Sequence, residues 1–301
     1  MCFSKPRAQN DAVSRVNRIS ADVASIDYSL LKSLSLDGKF DKDLFFCFIE
    51  PNIVSCLNVS NNLKQKLTLN HNCGTISLIY NQGDKYVYYF YGKSQLPNTS
   101  NAALRIDAKT KTIVKLTDSY FSKFGSSVPV AHLTKLYFFG GFSKSNQLSA
   151  DSEYFDMLTE TWTVISPMPA PSSFASGVEI NNEIYLTSNE LRSVNKYYPK
   201  TDQYQTFFDS ISGYLQNFHM FLAAAGEKLF YFYNRGIYRI DQPGNHEFFG
   251  SLGIFANLGI MIQYLVRNDK IFFLMSTGRV IEFYLNKGRN PQAKIIDILT
   301  N

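Results

Sequence analysis

Residues 135–186 read KLYFFGGFSKSNQLSADSEYFDMLTETWTVISPMPAPSSFASGVEINNEIYL. An apolar run from Leu136 to Phe139 stops at Gly140-Gly141. A polar loop follows, then Tyr154-Phe155-Asp156, with Trp162 six residues past that Asp. After Pro167-Met168-Pro169, small and apolar residues lead into Glu183-Ile184-Tyr185-Leu186, where the pattern begins again. One such unit of short strands cannot bury both faces of its sheet, so it requires neighbours built the same way.

Those neighbours are present. Apolar, aromatic-rich strands begin at Phe45 (FFCFIE), Val87 (VYYFYG), Leu136 (LYFFGG), Ile184 (IYLTSN), Leu229 (LFYFYN) and Ile271 (IFFLMS), at intervals of 42 to 49 residues. Each is followed by a second strand, as in 102–107, 152–156 and 194–198, and by a shorter third, as in 162–165 and 204–208. From the second unit onward a fourth strand precedes the aromatic one, as in 174–180 and 220–225. The aromatic strands are uninterrupted apolar runs rather than alternating ones, which predicts sheets that are dry on both faces. Radial packing of six small sheets around one axis gives that environment. The expected fold is all-β over residues 40–301.

Composition agrees with a globular β protein. Of 301 residues, 45% are hydrophobic and only 18% charged, which is too apolar for a disordered chain, and 25 Phe and 19 Tyr favour strands. The net charge of +5 is spread without blocks of like charge, so no nucleic-acid partner is expected. Arg105, Lys109, Lys111 and Lys115 alternate along one strand and predict a solvated face. No 18-residue apolar run is present, so no membrane span is expected. The four cysteines, Cys2, Cys47, Cys56 and Cys73, form no CxxC pair and read as buried or free thiols. The N-terminus shows no signal-peptide core, and the expected location is cytoplasmic.

Ahead of the strands the pattern differs. Residues 1–10 are polar and read as a loose tail. Val16, Ile19, Val23, Ile26 and Leu30 then fall at helical spacing, with Asp11 as N-cap, and predict a short amphipathic helix over 11–36. Little more than two heptads are present. The helix either packs on the edge of the β body or mediates self-association through residues 11–34.

Gly140-Gly141, Tyr154, Asp156, Thr159 and Trp162, closed by Pro167-Met168-Pro169, resemble the kelch-repeat family of β-propellers. The second unit keeps Tyr91-Gly92, Asp107 and Thr110, with Ile113 where Trp would be. The fourth keeps Tyr197, Thr201 and Tyr204, with Ser188-Asn189 for the diglycine, and the fifth keeps Tyr238 and Asp241. The resemblance spans roughly residues 40–300. It implies a six-bladed kelch-type propeller in which Gly140, Gly141, Tyr154, Asp156, Trp162, Asp107 and Asp241 are structural repeat positions. Trp162 is large enough to fill the wedge between adjacent sheets.

Catalytic signatures are missing from the sequence. The four histidines stand singly, without metal-ligand spacing, and no GxSxG, P-loop or GxGxxG occurs. No catalytic residue, metal or cofactor is expected. The loops after the aromatic strands are long and polar in the second and third units and carry Arg192, Arg235 and Arg279 in the later ones. Equivalent loops of successive blades converge on one face, so Tyr91, Phe142, Arg192, Arg235 and Arg279 are the expected partner-binding anchors. Arginine suits bidentate capture of carboxylates. The expected function is a protein-interaction module or scaffold. One alternative is a sugar- or small-acid-binding enzyme or lectin, such as an epimerase, using the channel. The other, a ubiquitin-ligase substrate adaptor, lacks room for a recruiting domain in residues 1–34. A channel filled by Phe and Tyr would favour the scaffold.

Overall fold

A computed structural model describes the strands between residues 45 and 107 and most of the chain from 112 to 298. The longer stretches outside the described residues are 1–44, 69–77, 91–102, 122–128, 210–219, 252–260 and 286–292. The tail and helix expected over 1–36 therefore lie outside them. The described strands all belong to one compact unit, Asp43–Asn301.

Among the described residues that body is all-β, and its strands pair antiparallel. Sheet 1 has three strands: β1 (Phe45–Glu50), β2 (Ile53–Asn58) and β3 (Leu63–Thr68). Sheet 2 holds β4 (Leu78–Gln82), β5 (Tyr86–Phe90), β6 (Ala103–Asp107) and β7 (Ile113–Lys115), and sheet 3 holds β8 (Val130–His132), β9 (Lys135–Phe142), β10 (Leu148–Asp156) and β11 (Thr161–Ile165). Sheet 4 comprises β12 (Ser176–Ile180), β13 (Glu183–Thr187), β14 (Val194–Tyr198) and β15 (Gln203–Phe208). Sheet 5 comprises β16 (Phe221–Ala225), β17 (Lys228–Tyr233), β18 (Gly236–Gln242) and β19 (Asn245–Ser251). Sheet 6 comprises β20 (Met261–Arg267), β21 (Lys270–Met275), β22 (Arg279–Tyr284) and β23 (Ala293–Ile298). In every sheet the spatial order is the chain order, a simple up-and-down meander.

The first strands of the four-stranded sheets are gathered together. β8 neighbours β12, β12 neighbours β16, and β16 neighbours β20, each with Cα atoms within 8 Å. β20 in turn lies beside β4, and β1 also approaches β4. This arrangement is propeller-like, with each last strand outermost.

From sheet 2 to sheet 6, one apolar cluster lies between each successive pair. Tyr88 and Phe90 of sheet 2 meet Leu136, Phe138, Phe155 and Trp162 of sheet 3. Tyr137 and Phe139 on the other side of β9 meet Ile184, Leu186 and Tyr197 of sheet 4. Tyr185 meets Leu229 and Tyr231, and Phe230 and Phe232 meet Ile271 and Phe273. Alternate residues of one strand thus serve opposite interfaces, as the period of a strand dictates. This is why β5, β13 and β21 are buried along their length after the first residue, and β9 from Leu136 to Gly141, with no polar alternation.

Two outer-strand features fasten sheets 3 and 4 to what precedes them. The Trp162 indole Nε1 donates to the Thr117 carbonyl at 2.8 Å, reaching back to the connector that leaves β7. At the matching position of sheet 4, the Tyr204 hydroxyl donates to the Ser166 carbonyl at 3.0 Å, on the connector that leaves β11. Two residues earlier, the turn residues Glu160 and Asp202 both sit in the left-handed region, with φ of 55° and 54°. Glu160 pairs with Arg105 of sheet 2. Asp202 accepts from the Ser166 N–H at 2.9 Å and from the Tyr197 hydroxyl at 2.8 Å.

Candidate functional site

The two ends of the sheets differ. One end carries the short turns between first and second strands, such as Asn181-Asn182, where φ of 54° and 66° suits the asparagines. The opposite end carries the loops between second and third strands and the connectors from sheet to sheet. Of the expected anchors, Phe142 and Arg279 are described and belong to this loop end.

In sheet 3 the loop end is built on the diglycine. Gly140 and Gly141 have φ of 63° and 116°, and a Cβ on Gly140 would collide with the Ser172 carbonyl. That carbonyl accepts from the Gly141 N–H at 2.6 Å, so the connector 166–175 lies directly on the end of β9. Glycine is required here by backbone approach as well as by φ. The connector is further held by the Ser188 hydroxyl donating to Ser172 Oγ at 3.0 Å and by Ser173 donating from Oγ to Glu190 at 2.9 Å.

Phe142 follows at the end of β9, half-buried and opposite Leu148. The loop beyond is drawn closed: the Ser143 N–H donates to the Gln147 carbonyl at 2.8 Å, and the Ser143 and Ser145 hydroxyls bond to each other at 2.8 Å. Leu148 is 41% exposed beside it. The carboxylate of Asp151 accepts from the Ser149 hydroxyl at 2.6 Å. Sheets 3 and 4 therefore present a firm loop end of hydroxyls, two carboxylates and the apolar side chains of Phe142 and Leu148.

Arg279 opens β22 opposite Ile298, at the same end of sheet 6 and half-buried. Tyr91, Arg192 and Arg235 lie outside the described residues. Phe142 and Arg279 thus share an end of the body but stand in separate sheets.

The repeat residues have local work to do. Asp156 accepts from the Leu158 N–H at 2.9 Å and shapes the β10–β11 turn. Tyr154 is crossed by the Lys135 ammonium at 4.1 Å. The Asp107 N–H donates to the Thr112 carbonyl at 2.9 Å across its own turn. Asp241 takes the Arg239 guanidinium at 3.0 Å and stays exposed.

Cations stacked on rings recur from sheet to sheet, and sequence reasoning missed them. Arg105 lies 4.8 Å over Tyr86, Lys196 is ringed by Tyr185, Tyr198 and Phe207 at 5.1 to 5.5 Å, and Lys270 lies 4.7 Å over Tyr284. Lys196 also pairs with Glu183 at 2.6 Å, and Lys270 with Glu282. The expected solvated face is corrected at Arg105, which is half-buried between sheets 2 and 3, because its partner Glu160 comes from the next sheet. Lys115 keeps the expected exposure, and Lys109 and Lys111 lie outside the described residues. Beneath Arg105, burial pushes the Tyr88 phenol up to about 12, with the guanidinium pulling the other way.

Along the inner strands, His132 of β8 places Nδ1 3.9 Å from Glu179 Oε1 of β12. Burial, then Lys135 and Lys200, hold the imidazole below its ordinary range, and burial raises the Glu179 carboxyl despite the Asn182 N–H that bonds it at 2.6 Å. Tyr264 of β20 packs against both the sheet 4–5 and the sheet 5–6 clusters. It thus touches the apolar layers on both sides of sheet 5, and burial raises its phenol. Among the described residues, no group of three or more His, Cys, Asp or Glu gathers to hold a metal, and no helix is long and apolar enough to cross a membrane.

Residues 125–169 match the kelch motif family model. That match falls on sheet 3. The match takes in β8 to β11, the diglycine, Trp162 and the first proline-rich turn of the exit connector. In the kelch unit the glycines accommodate the connector and the tryptophan reaches the preceding sheet, so the motif residues serve contacts between sheets. No curated protein matches the chain.

Proposed function

We propose that the chain is a protein-interaction module: a six-bladed kelch-type propeller whose loop end receives a protein partner and serves as a scaffold in the cytoplasm. The kelch unit at residues 125–169 supports the class of function. Support for a scaffold over channel chemistry comes from Tyr264, an aromatic residue of the inner strand β20 that packs against the apolar clusters on both sides of sheet 5. A rigid end bearing Phe142 and Leu148 beside bonded carboxylates offers apolar anchors within a polar rim, which is the composition of a protein-binding surface.

The anchor set is Tyr91, Phe142, Arg192, Arg235 and Arg279, and residues 11–34 provide self-association. Partner capture with cross-linking mass spectrometry tests both ends of the body. The expected result is cross-links to the loop end, with capture reduced about tenfold or more by combined Phe142→Ala and Arg279→Ala. Unchanged capture by that double variant, with loss in the turn-end variant Leu158→Ser, overturns the assignment. Light scattering with and without residues 1–34 reads self-association, which a single unchanged protomer mass rejects.

A further inference from the structure

The chain register of sheet 1 sets Cys47 directly opposite Cys56. β1 and β2 are joined through two residues, Pro51 and Asn52, and Glu50 pairs with Ile53 as the closing pair. In an antiparallel ladder, hydrogen-bonded and non-hydrogen-bonded pairs alternate. Counting from a hydrogen-bonded closing pair, Ile49 with Val54 is non-bonded, Phe48 with Ser55 is bonded, and Cys47 with Cys56 is non-bonded. Non-bonded pairs hold their Cα atoms at about 4.5 Å, on one face of the ladder, and a disulfide spans Cα separations of about 4.4 to 6.8 Å. A directly opposed pair of this kind lies within the Cα range that a disulfide spans.

We propose that Cys47 and Cys56 form a reversible thiol–disulfide pair, a redox site that closes the β1–β2 hairpin. The oxidant class is a small disulfide such as oxidised glutathione. The Cys47 or Cys56 thiolate attacks one glutathione sulfur, forming a mixed disulfide and releasing one glutathione thiolate. The second cysteine thiolate then attacks the protein sulfur of that mixed disulfide, forms the Cys47–Cys56 bond and releases the second glutathione. Two cysteines are oxidised, one glutathione disulfide is reduced to two thiols, and the protons of the cysteines pass to the released thiolates or to solvent. In reducing surroundings the pair stays open, and it closes as the glutathione pool is oxidised.

The test uses the full chain equilibrated in glutathione buffers of increasing oxidised fraction, then quenched with acid and labelled with a maleimide. The expected result is the joint loss of two labels, a mass decrease of two hydrogen atoms, and a peptide cross-link joining Cys47 to Cys56, all reversed by reduced glutathione. The Cys2→Ser, Cys73→Ser double variant retains the transition, and Cys56→Ser replaces it with a lasting glutathione adduct on Cys47. Continued labelling of both Cys47 and Cys56 in the oxidised buffer overturns the proposal, as does a cross-link to Cys2 or Cys73 in their place. The wild-type measurement decides the question even where a variant fails to fold.

Discussion

Trp162 donates its indole N–H to the carbonyl of Thr117, 45 residues earlier in the chain and one sheet away. The same ring touches Phe90, Phe138 and Phe155 at centroid distances of 5.2 to 5.6 Å. Its role divides into volume and hydrogen bond. Trp162→Ala is expected to destabilise by about 3 to 5 kcal/mol through the cavity it leaves. Trp162→Phe keeps much of the volume and loses the donor, for about 1 to 2 kcal/mol. Urea unfolding of both variants reads the difference, and a Trp162→Phe variant as stable as the parent would show that the Thr117 contact contributes nothing.

Gly140 and Gly226 share nearly the same backbone conformation, with φ of 63° and 61°, yet differ in surroundings. Nothing stands within 4 Å of a Cβ on Gly226, whereas one on Gly140 strikes the Ser172 carbonyl. Gly226→Ala is expected to cost about 1 kcal/mol for the left-handed backbone alone. Gly140→Ala adds the displaced connector and is expected to cost at least twice that. Thermal or urea midpoints compare them directly.

Asp202 satisfies the Ser166 N–H and the Tyr197 hydroxyl from a left-handed turn position. Asp202→Asn retains an acceptor oxygen and tolerance of that backbone, and it is expected to cost about 1 kcal/mol. Asp202→Gly retains only the tolerance and is expected to cost about 2 to 3 kcal/mol, because the N–H and hydroxyl lose their partner. The order Asn above Gly in unfolding midpoint is the observation to check.

His132 is held below its ordinary value of 6.5 by burial and by Lys135 and Lys200. As the pH falls below 6.5, the unfolded chain takes up this proton before the folded one does, so stability declines from there down through the folded value. Glu179 acts oppositely: raised above 4.5, it takes its proton first in the folded state, and its contribution is gained as pH falls toward 4.5. His132→Gln is therefore expected to flatten the stability profile just below pH 6.5. Urea midpoints across pH 7.5 to 5, as roughly the span of the histidine titration, test this.

Most of the β framework is legible in the sequence because hydrophobic runs and turn residues are local signals. The aromatic strands begin one residue earlier than their apolar runs, at Tyr86, Lys135, Glu183, Lys228 and Lys270. In each case a ladder partner extends the strand by a residue that the apolar run excludes, as Asp156 does for Lys135 and Tyr284 for Lys270. β8 carries only three residues, and β3 reads LKQKLT, so neither stands out by hydrophobicity. At the loop end, Phe142 and Arg279 could be named from their position after an aromatic strand. The connector packed on Gly140, the carboxylates reaching back from Glu160 and Asp202, and the register of Cys47 against Cys56 depend on partners distant in sequence or on strand offset. No single-residue pattern encodes those.

The meeting of β20 with β4 joins parts of the chain separated by more than half its length, whereas the other inner-strand contacts join successive sheets. An open row of sheets frays from its ends, because a terminal member has one neighbour to lose. The β20–β4 contact links sheets 2 and 6, so that each gains support from the other. The entropic cost is a large loop that must close late, after the local hairpins have formed. Once closed, melting at either end of the row must also break a contact with the opposite end, which couples the unfolding of distant segments.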